Sequence, residues 1–211
     1  ANMVFTDPPY NADYSSRVDI DRRKPWGGIM NDNMSFDNYS VFLEKSLTNL
    51  NNHLEEGGAV YVCTDWKSYS LLSGLLENQF VQKSMIVWNK NYFGLGTYYR
   101  TKHEIIIFGI KGDKVKTWNA EHDEMDVWDE DRERNKNYVH PTQKPVSLPE
   151  RAIKNSSPLS GTVLDLFSGS GTTLIACEKT GRTCYTMELD PRYVDISIQR
   201  WENYVGKDAS S

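Results

Sequence analysis

Short apolar runs alternate along this chain with longer stretches in which apolar residues recur every three or four positions. The short runs, bounded by turn residues, predict strands over 2–6, 59–64, 85–88, 104–110, 162–167 and 184–188. The longer stretches predict helices over 40–54, 71–80, 149–156, 172–180 and 192–204. Because strands and helices alternate, the pattern predicts an α/β fold whose sheet is covered by helices on both faces.

Three stretches lack a clear period. Residues 11–38 are polar and include Pro25 and Gly27-Gly28, which predicts a long loop of a kind that is usually functional or mobile. Residues 111–137 have no clean period, and we expect an excursion from the core there. The tail over 206–211 is expected to fray. The remaining elements suit a single domain, since 211 residues can bury one sizeable core.

Composition favours a packed globule over disorder. The hydrophobic fraction is 38% and there are six tryptophans, although the mean hydropathy is −0.62. No apolar run approaches the roughly 20 residues of a membrane span, and the start has no secretory character, so we expect a cytoplasmic protein. The first predicted strand begins at residue 2, which suggests a domain cut from a longer protein; a naturally short N-terminus is the alternative.

Cysteine and histidine usage gives no sign of a metal site or disulfide framework. Cys63, Cys177 and Cys184 are odd in number and lack CxxC spacing, and the four histidines are scattered. We expect buried free thiols and no metal.

The charge distribution is uneven. A net charge of −5 counts against nucleic-acid binding, because neutralising phosphates usually gives a DNA-binding domain a basic balance. Residues 121–131 carry seven acids and no Lys or Arg, whereas a cluster of cations near the start consists of Arg17, Arg22, Arg23 and Lys24. Local fields matter more than the total charge, so the sum excludes no partner.

A glycine-rich turn follows the predicted strand at 162–167. Residues 163–173 read as a strand, a tight turn and a helix start, and glycines there let backbone approach a ligand closely. Glu188 follows the next strand at about the spacing of 20 residues at which an acid meets ribose hydroxyls. Leu174 stands where a dinucleotide fingerprint has its third glycine, so a ribose-bearing ligand without phosphates, such as S-adenosylmethionine, fits better than NAD. The alternatives are a solvated acid at Glu188 and a turn-capping carboxylate at Asp165.

A second candidate site, Asp7-Pro8-Pro9-Tyr10, follows the first strand. Two prolines fix φ and remove two N–H donors, so the carbonyls there can point into a site. Asp7 adds a carboxylate acceptor and Tyr10 a flat face, which together suit an exocyclic amino group on an extruded base. A Pro-Pro turn with a buried tyrosine is the alternative.

Together the two motifs resemble the amino-group DNA methyltransferases, and their order, with DPPY before FxGxG at 167–171, resembles the β group of that family. Three further stretches agree with this resemblance, namely 31–35, the HPTQKP sequence at 140–145 and MELDPRY at 187–193. The resemblance covers nearly the whole chain.

The resemblance implies a permuted, Rossmann-like methyltransferase fold with a seven-stranded, mostly parallel sheet and one antiparallel strand. It implies a single catalytic domain over 1–211, with the short, acidic segment 111–137 as the target-recognition insertion. A missing N-terminal or partner domain, or a second copy of the chain in a homodimer, would supply the rest of the recognition surface.

The resemblance also implies the site residues. The catalytic residues are Asp7, Pro8, Pro9 and Tyr10. The cofactor-binding residues are Asp165, Phe167, Ser168, Gly169, Gly171, Thr172, Thr173 and Glu188, together with His140, Thr142 and Lys144 of the HPTQKP sequence. Arg17, Arg22, Arg23 and Lys24 are the candidates for contact with DNA phosphates, and a merely solvated basic surface is the alternative.

The implied activity is methyl transfer from S-adenosylmethionine to the N6 amino group of adenine in DNA, in the setting of DNA methylation or restriction-modification. We expect a flipped adenine to present its amino group to Asp7 and to the Pro8 carbonyl while its ring stacks on Tyr10. Cytosine-N4 methylation is the nearest alternative, and a non-catalytic subunit that presents nucleic acid to a partner is another. Action on RNA or on protein glutamine is less expected.

Overall fold

A seven-stranded sheet forms the centre of the part of the chain that the computed structural model describes, residues 1–13, 30, 32–91, 93–94, 98–131 and 143–206. Its strands are β1 (Met3–Thr6), β2 (Ala59–Thr64), β3 (Val81–Asn89), β4 (His103–Ile110), β5 (Val127–Asp129), β6 (Thr162–Asp165) and β7 (Thr183–Thr186). The helices are α1 (Phe36–His53), α2 (Tyr69–Glu77), α3 (Ser147–Ser156), α4 (Thr172–Thr180) and α5 (Pro191–Val205).

The strands lie in the order β5-β3-β4-β2-β1-β6-β7. Strand β4 runs antiparallel to both of its neighbours, and the other neighbouring pairs are parallel. The predicted seven-stranded, mostly parallel sheet with one antiparallel strand is therefore confirmed. Strand β1 is buried along its whole length, as expected of a central strand whose sequence is apolar throughout.

Helices cover both faces of the sheet. Successive side chains of a strand point to opposite faces, so Val4 packs with α1 and α2 whereas Met3 packs with α3 and α4. On the first side, Leu43, Leu47 and Leu50 recur at helical spacing and form the buried stripe of α1. The predicted two-sided α/β arrangement is confirmed by these two cores.

Caps at the helix ends explain several boundaries. Helix α1 begins at residue 36, earlier than its apolar period indicates, because the Ser35 hydroxyl accepts a hydrogen bond from the Asn38 backbone N–H. Helix α5 begins after Asp190, whose carboxylate accepts from the Arg192 backbone N–H, and Pro191 suits the first helical position. Helices α4 and α5 end at Gly181 and Gly206 in the left-handed conformation.

The expectation that 111–137 lies outside the core is wrong for its middle part. Residues 127–129 form β5, which pairs in parallel with β3, and Trp128 is 2% exposed. The strand was missed because a single buried side chain between the exposed Val127 and Asp129 leaves too short a pattern to show a period. Target recognition by the remainder of this segment stays a prediction.

The cysteines agree with the expectation of free thiols. Cys63 and Cys177 are buried, Cys184 is half-buried, and all three are free. Among the residues described, no helix has the length and apolar character needed to span a membrane.

The burial of Trp128 gives a direct test of β5. The Trp128→Ala variant should lower the free energy of unfolding by about 3 to 5 kcal/mol, because it removes a large core side chain. Its indole N–H also donates to the Met125 carbonyl. Urea denaturation of Trp128→Ala beside Val127→Ala, an exposed position on the same strand, measures the difference. Equal, small losses in both variants would show that β5 is not part of the core.

Candidate active site

The two sequence motifs meet at the carboxyl ends of the adjacent strands β1 and β6. The Thr6 hydroxyl, at the end of β1, donates to Asp165 Oδ1 at the end of β6 over 2.8 Å. The Leu166 backbone N–H in turn donates to the Thr6 hydroxyl at 3.3 Å. The loops that follow these strands line one cavity of about 680 Å³, at the edge where open α/β sheets bind ligands.

The backbone of the Asp7-Pro8-Pro9-Tyr10 loop is held from the side of α1 and α2. The Pro9 carbonyl accepts a hydrogen bond from the Tyr39 hydroxyl at 3.0 Å, and the Tyr10 carbonyl accepts one from the Ser68 hydroxyl at 3.0 Å. The chain then turns at Asn11, whose φ is 54°. Two prolines and two anchored carbonyls keep the loop rigid, which suits a site that must align a substrate.

Five side chains form a carboxylate–lysine cluster at this loop: Asp7, Tyr10, Lys90, Glu104 and Lys144. Lys144 Nζ donates to Asp7 Oδ2 at 2.5 Å and to the Tyr10 hydroxyl at 2.9 Å. The Tyr10 hydroxyl lies 2.8 Å from Asp7 Oδ1 and 3.1 Å from Glu104 Oε2. Glu104 Oε2 also lies 3.2 Å from Lys144 Nζ, while Oε1 accepts from Lys90.

Charge balance fixes the protonation of this cluster. Burial alone would raise the pKa of Glu104, but the ammonium groups of Lys144 and Lys90 outweigh it and hold that pKa at about 2. Burial likewise opposes the charge on Lys144, but Asp7 and Glu104 raise its pKa above the ordinary value. Burial, with Asp7 and Glu104, raises the pKa of Tyr10. At neutral pH Glu104 and Lys144 are therefore charged and Tyr10 is neutral.

The glycine loop leaves open space beside this cluster. Gly169 and Gly171 have φ of 51° and 78°, which side chains rarely adopt. A Cβ on Gly171 would lie 2.9 Å from the Cβ of Ser197 in α5, so the loop packs closely against that helix. The Ser197 hydroxyl donates to the Gly169 carbonyl at 2.9 Å. A Cβ on Gly169 would meet nothing within 4 Å, which agrees with backbone that faces a ligand.

Glu188 is held by backbone at the wall of the same cavity. Its Oε2 accepts from the Gly169 N–H at 2.8 Å and its Oε1 from the Asp190 N–H at 2.9 Å. Each carboxylate oxygen has a second lone pair, which a ribose hydroxyl can use. Phe42 and Phe167 lie nearby on the wall with ring centroids 5.6 Å apart, and they offer apolar surface to a purine. These residues fit a nucleoside.

Asp165 accepts hydrogen bonds that hold the start of the glycine loop. It is 2% exposed, and its Oδ1 accepts from the Thr6 hydroxyl and, at 3.0 Å, from the Phe167 N–H. Burial raises its pKa to about 6 against the hydrogen bonds from Thr173, Phe167 and Thr6 that lower it. The turn-capping alternative for this residue agrees with its contacts, although Asp165 also lines the cavity.

Most of the predicted site residues line this cavity. These are Asp7, Pro8, Pro9, Tyr10, Lys144, Asp165, Phe167, Ser168, Gly169, Thr172, Thr173 and Glu188. Gly171 is not among the lining residues, and it packs against α5. The ammonium of Lys144 contacts Asp7 and Tyr10 and not the glycine loop, although the resemblance predicts a cofactor role for this residue. Its carbonyl accepts from the Thr172 hydroxyl at 3.4 Å.

The remaining predicted residues are outside the described part of the chain. They are Arg17, Arg22, Arg23 and Lys24 of the basic cluster, with His140 and Thr142 of the HPTQKP sequence. Their roles stay predictions. In the described ranges, no three His, Cys, Asp or Glu side chains are grouped so as to hold a metal ion.

Sequence reasoning missed Glu104 and Lys90. Glu104 is a lone acid beside the apolar run 105–110 of β4, and an acid so close to a buried strand is a weak signal of a site. Its partners are Tyr10 of the first loop, Lys90 directly after β3, and Lys144 before α3, so only the folded chain shows the cluster.

The fold and the cavity fit the class of methyltransferases that take S-adenosylmethionine as methyl donor. Residues 1–199 match the family model N6_N4_Mtase, described as DNA methylase, and the chain belongs to this family. Its members are amino-methyltransferases that act on DNA with S-adenosylmethionine.

Curated relatives of the chain include three bacterial enzymes. It is 28% identical to the type II methyltransferase M.HpaI of Haemophilus parainfluenzae and 28% identical to M.HinfI of Haemophilus influenzae, over 96% and 94% of this chain. It is 25% identical over 94% of its length to the DNA adenine methyltransferase YhdJ of Escherichia coli K12. The chain spans 68%, 62% and 75% of the lengths of these relatives.

Solved structures show the same fold. The cytosine-N4-specific PvuII DNA methyltransferase superposes with a TM-score of 0.75 at 18% identity, over 95% of this chain and 79% of that chain. The M1.HpyAVI–SAM complex superposes with a TM-score of 0.69 at 22% identity, over 94% and 88%.

Burial of Asp165 predicts a pH-dependent stability. Its folded pKa of about 6 lies above the value of about 3.9 expected in the unfolded chain, so the unfolded state loses this proton first as pH rises. Stability contributed by this group is therefore present below pH 4 and lost between about pH 4 and 6. Two pKa units correspond to about 3 kcal/mol.

The Asp165→Asn variant isolates this effect. It keeps an acceptor oxygen for Thr6 and Phe167 but cannot ionise, so it should lose about 3 kcal/mol less stability than the parent between pH 4 and pH 7. Urea unfolding at the two pH values, with the exposed Asp37→Asn as control, measures the difference. Parallel pH profiles for parent and Asp165→Asn would contradict the prediction.

Proposed function

We propose that this chain transfers the methyl group of S-adenosylmethionine to the N6 amino group of adenine in DNA. The observation that carries the proposal is the position of the Asp7 carboxylate in the same cavity as the glycine loop and Glu188. The Thr6–Asp165 hydrogen bond joins the ends of the two strands that lead into these loops, so an amino group at Asp7 lies beside a cofactor at Gly169.

Three residues of the tetrapeptide have a direct part in this reaction. Asp7 accepts a hydrogen bond from one amino hydrogen and the Pro8 carbonyl accepts the other, while the Tyr10 ring stacks on the flipped base. Polarising the amine matters because its lone pair is delocalised into the base. Catalysis rests mainly on alignment and electrostatics, with no covalent enzyme intermediate.

The glycine loop and Glu188 hold the methyl donor. When bound, S-adenosylmethionine would supply its sulfonium methyl group to the amino nitrogen, with S-adenosylhomocysteine as the leaving group and one amino proton released to solvent. Glu188 would bind the ribose hydroxyls with the lone pairs that Gly169 and Asp190 leave, and Phe42 and Phe167 would offer their rings to the adenine of the cofactor.

DNA approaches the cavity past a mouth of mixed aromatic and basic character. Trp66, Lys67, Lys90, Thr101 and His103 line this part of the wall. The indole of Trp66 is 60% exposed, and the Lys67 ammonium lies 5.7 Å from its ring centroid. An aromatic face beside cations suits single-stranded or flipped nucleotides.

The aspartate of the tetrapeptide, Asp7, favours adenine over cytosine as the target. In the amino-group DNA methyltransferases, aspartate at this position goes more often with adenine. YhdJ, named a DNA adenine methyltransferase, is among the relatives. Cytosine-N4 methylation is the second candidate, and the match to the PvuII fold supports keeping it. A non-catalytic subunit is disfavoured because the tetrapeptide and the glycine loop are both intact.

Mass spectrometry of nucleosides tests the proposal. Unmethylated plasmid DNA is incubated with the protein and S-adenosylmethionine, digested and analysed. N6-methyladenine is the expected product. N4-methylcytosine in its place would establish the second candidate. If neither product forms although calorimetry shows that the cofactor binds, the non-catalytic reading gains support.

Asp7→Ala should abolish most methyl transfer, by a factor of at least about 100, because the acceptor for the amino group is lost. The fold and most of the affinity for S-adenosylmethionine should remain, since Asp7 has no predicted contact with the cofactor. Radiolabel transfer and calorimetry measure both, with Asp37→Ala, an exposed acid in α1, as control. Near-normal turnover in Asp7→Ala would refute its role.

Glu188→Ala should weaken binding of S-adenosylmethionine by roughly 10- to 150-fold, because it removes charge-assisted hydrogen bonds worth about 1.5 to 3 kcal/mol. Calorimetry measures the dissociation constant. Glu178→Ala on α4 is the control, because that carboxylate is exposed and bonds only the Trp201 indole among the contacts described. An unchanged dissociation constant in Glu188→Ala would rule out ribose binding.

A further inference from the structure

Glu104 has a place in the site that neither sequence motif assigns. It is the second residue of β4 and lies opposite Trp88 of β3. Its side chain is 19% exposed and lines the cavity. One of its oxygens accepts from Lys90, and the other lies within 3.2 Å of both the Tyr10 hydroxyl and the Lys144 ammonium.

Asp7 is already engaged by two donors in this structure. Its Oδ1 accepts from the Tyr10 hydroxyl at 2.8 Å and its Oδ2 from the Lys144 ammonium at 2.5 Å. Each oxygen keeps a second lone pair, so an amino group that enters the cavity shares the carboxylate with both donors, and each donor weakens the acceptor. The acceptor strength that Asp7 offers a substrate therefore depends on where these two donors go.

Both donors have a second acceptor within reach, and it is Glu104. A phenol has one hydrogen, so the Tyr10 hydroxyl can donate fully to Asp7 or to Glu104 but not to both. The Lys144 ammonium has three hydrogens and already lies 3.2 Å from Glu104 Oε2. Shifts of less than about 1 Å would complete either transfer, because a strong hydrogen bond needs roughly 2.7 to 2.9 Å.

We propose that Glu104 is a positioning residue that accepts the Tyr10 hydroxyl and the Lys144 ammonium when the target amino group binds Asp7. The inference rests on the proposed function, since it assumes that Asp7 receives the amino group. Only hydrogen bonds are exchanged. No covalent bond forms or breaks, and the two carboxylates and two ammonium groups keep their charges throughout.

Lys90 makes this arrangement stable. Asp7 and Glu104 carry two negative charges, which Lys90 and Lys144 balance. Without the Glu104 carboxylate, two cations would face Asp7 alone, and Lys144 would bind it more tightly. The amino group would then meet a carboxylate whose negative charge is held by Lys144 at all times, and which is a weaker acceptor.

The Glu104→Gln variant tests the proposal, because it keeps the shape and removes the charge. With tritiated S-adenosylmethionine and saturating unmethylated plasmid DNA, kcat should fall by roughly 10- to 100-fold, as it does when a residue that orients a metal ligand is changed. The dissociation constant for S-adenosylmethionine should stay within about 2-fold. Glu104→Asp, which keeps the charge, should recover part of the loss.

Glu150→Gln is the matched control. Glu150 on α3 also accepts from two lysines, Lys154 and Lys179, but outside the cavity. Both variants lose a carboxylate held by two ammonium groups, so a general loss of stability should affect both. A fall in kcat confined to Glu104→Gln supports positioning.

A double-mutant cycle with Tyr10→Phe separates positioning from a structural role. Tyr10→Phe removes one of the two donors that compete for Asp7, so Glu104→Gln should cost at least about 3-fold less in that background. If Glu104 only supports the fold, the two losses should multiply instead, and the proposal is wrong. The cycle can be run with Glu104→Asp if Glu104→Gln does not fold.

Failure of the proposed function has a different signature. If the parent protein methylates no base, the assignment of Asp7 fails and takes the role of Glu104 with it. If the parent is active and Glu104→Gln matches Glu150→Gln in kcat, only the role of Glu104 is refuted.

Discussion

The parallel pairing of β1 with β6 is the constraint on which the site depends. Residues about 160 positions apart become neighbours through it, and the hydrogen bond between Thr6 and Asp165 joins the two strand ends. The Asp7–Tyr10 tetrapeptide and the glycine loop then leave the sheet side by side. In the proposed reaction, a methyl donor and an acceptor bound in these loops would meet at close range, so the sheet itself would supply much of the alignment that direct methyl transfer needs.

Two carboxylates, Asp165 and Glu104, lie at this same edge of the sheet, and their desolvation is offset in two different ways. Asp165 is satisfied by neutral donors, so burial raises its pKa to about 6. Glu104 is satisfied by two ammonium groups, so its pKa is lowered to about 2. The contrast follows from the neighbours alone: hydrogen bonds from a hydroxyl and an amide offset part of the desolvation, whereas nearby cations more than offset it.

Much of the fold and of the candidate site was predictable from the sequence, because the informative features are local. Three features lie in short stretches whose residue types indicate their chemistry: the tetrapeptide, the glycine loop and the later acid Glu188. The order of these features along the chain indicates the permuted sheet. The unpredicted features are not local. Glu104 acquires meaning only when Tyr10 and Lys144 fold against it, and Trp128 becomes core only through pairing of β5 with β3. A lone acid or a single apolar side chain carries no period that sequence can show.

The negative charge of the chain is unevenly placed, because the acidic run 121–131 lies away from the cavity. The acidic run 121–131 includes β5 at the sheet edge, about 19 Å from β1 at four strand spacings, and none of its residues lines the cavity. Glu124 there is paired with Arg151, at 2.6 Å. Exposed charges more than about 10 Å apart are largely screened at physiological salt, so this acidic run contributes little to the field that phosphates meet at the cavity. The distribution of charge, and not its sum, decides where a polyanion can dock.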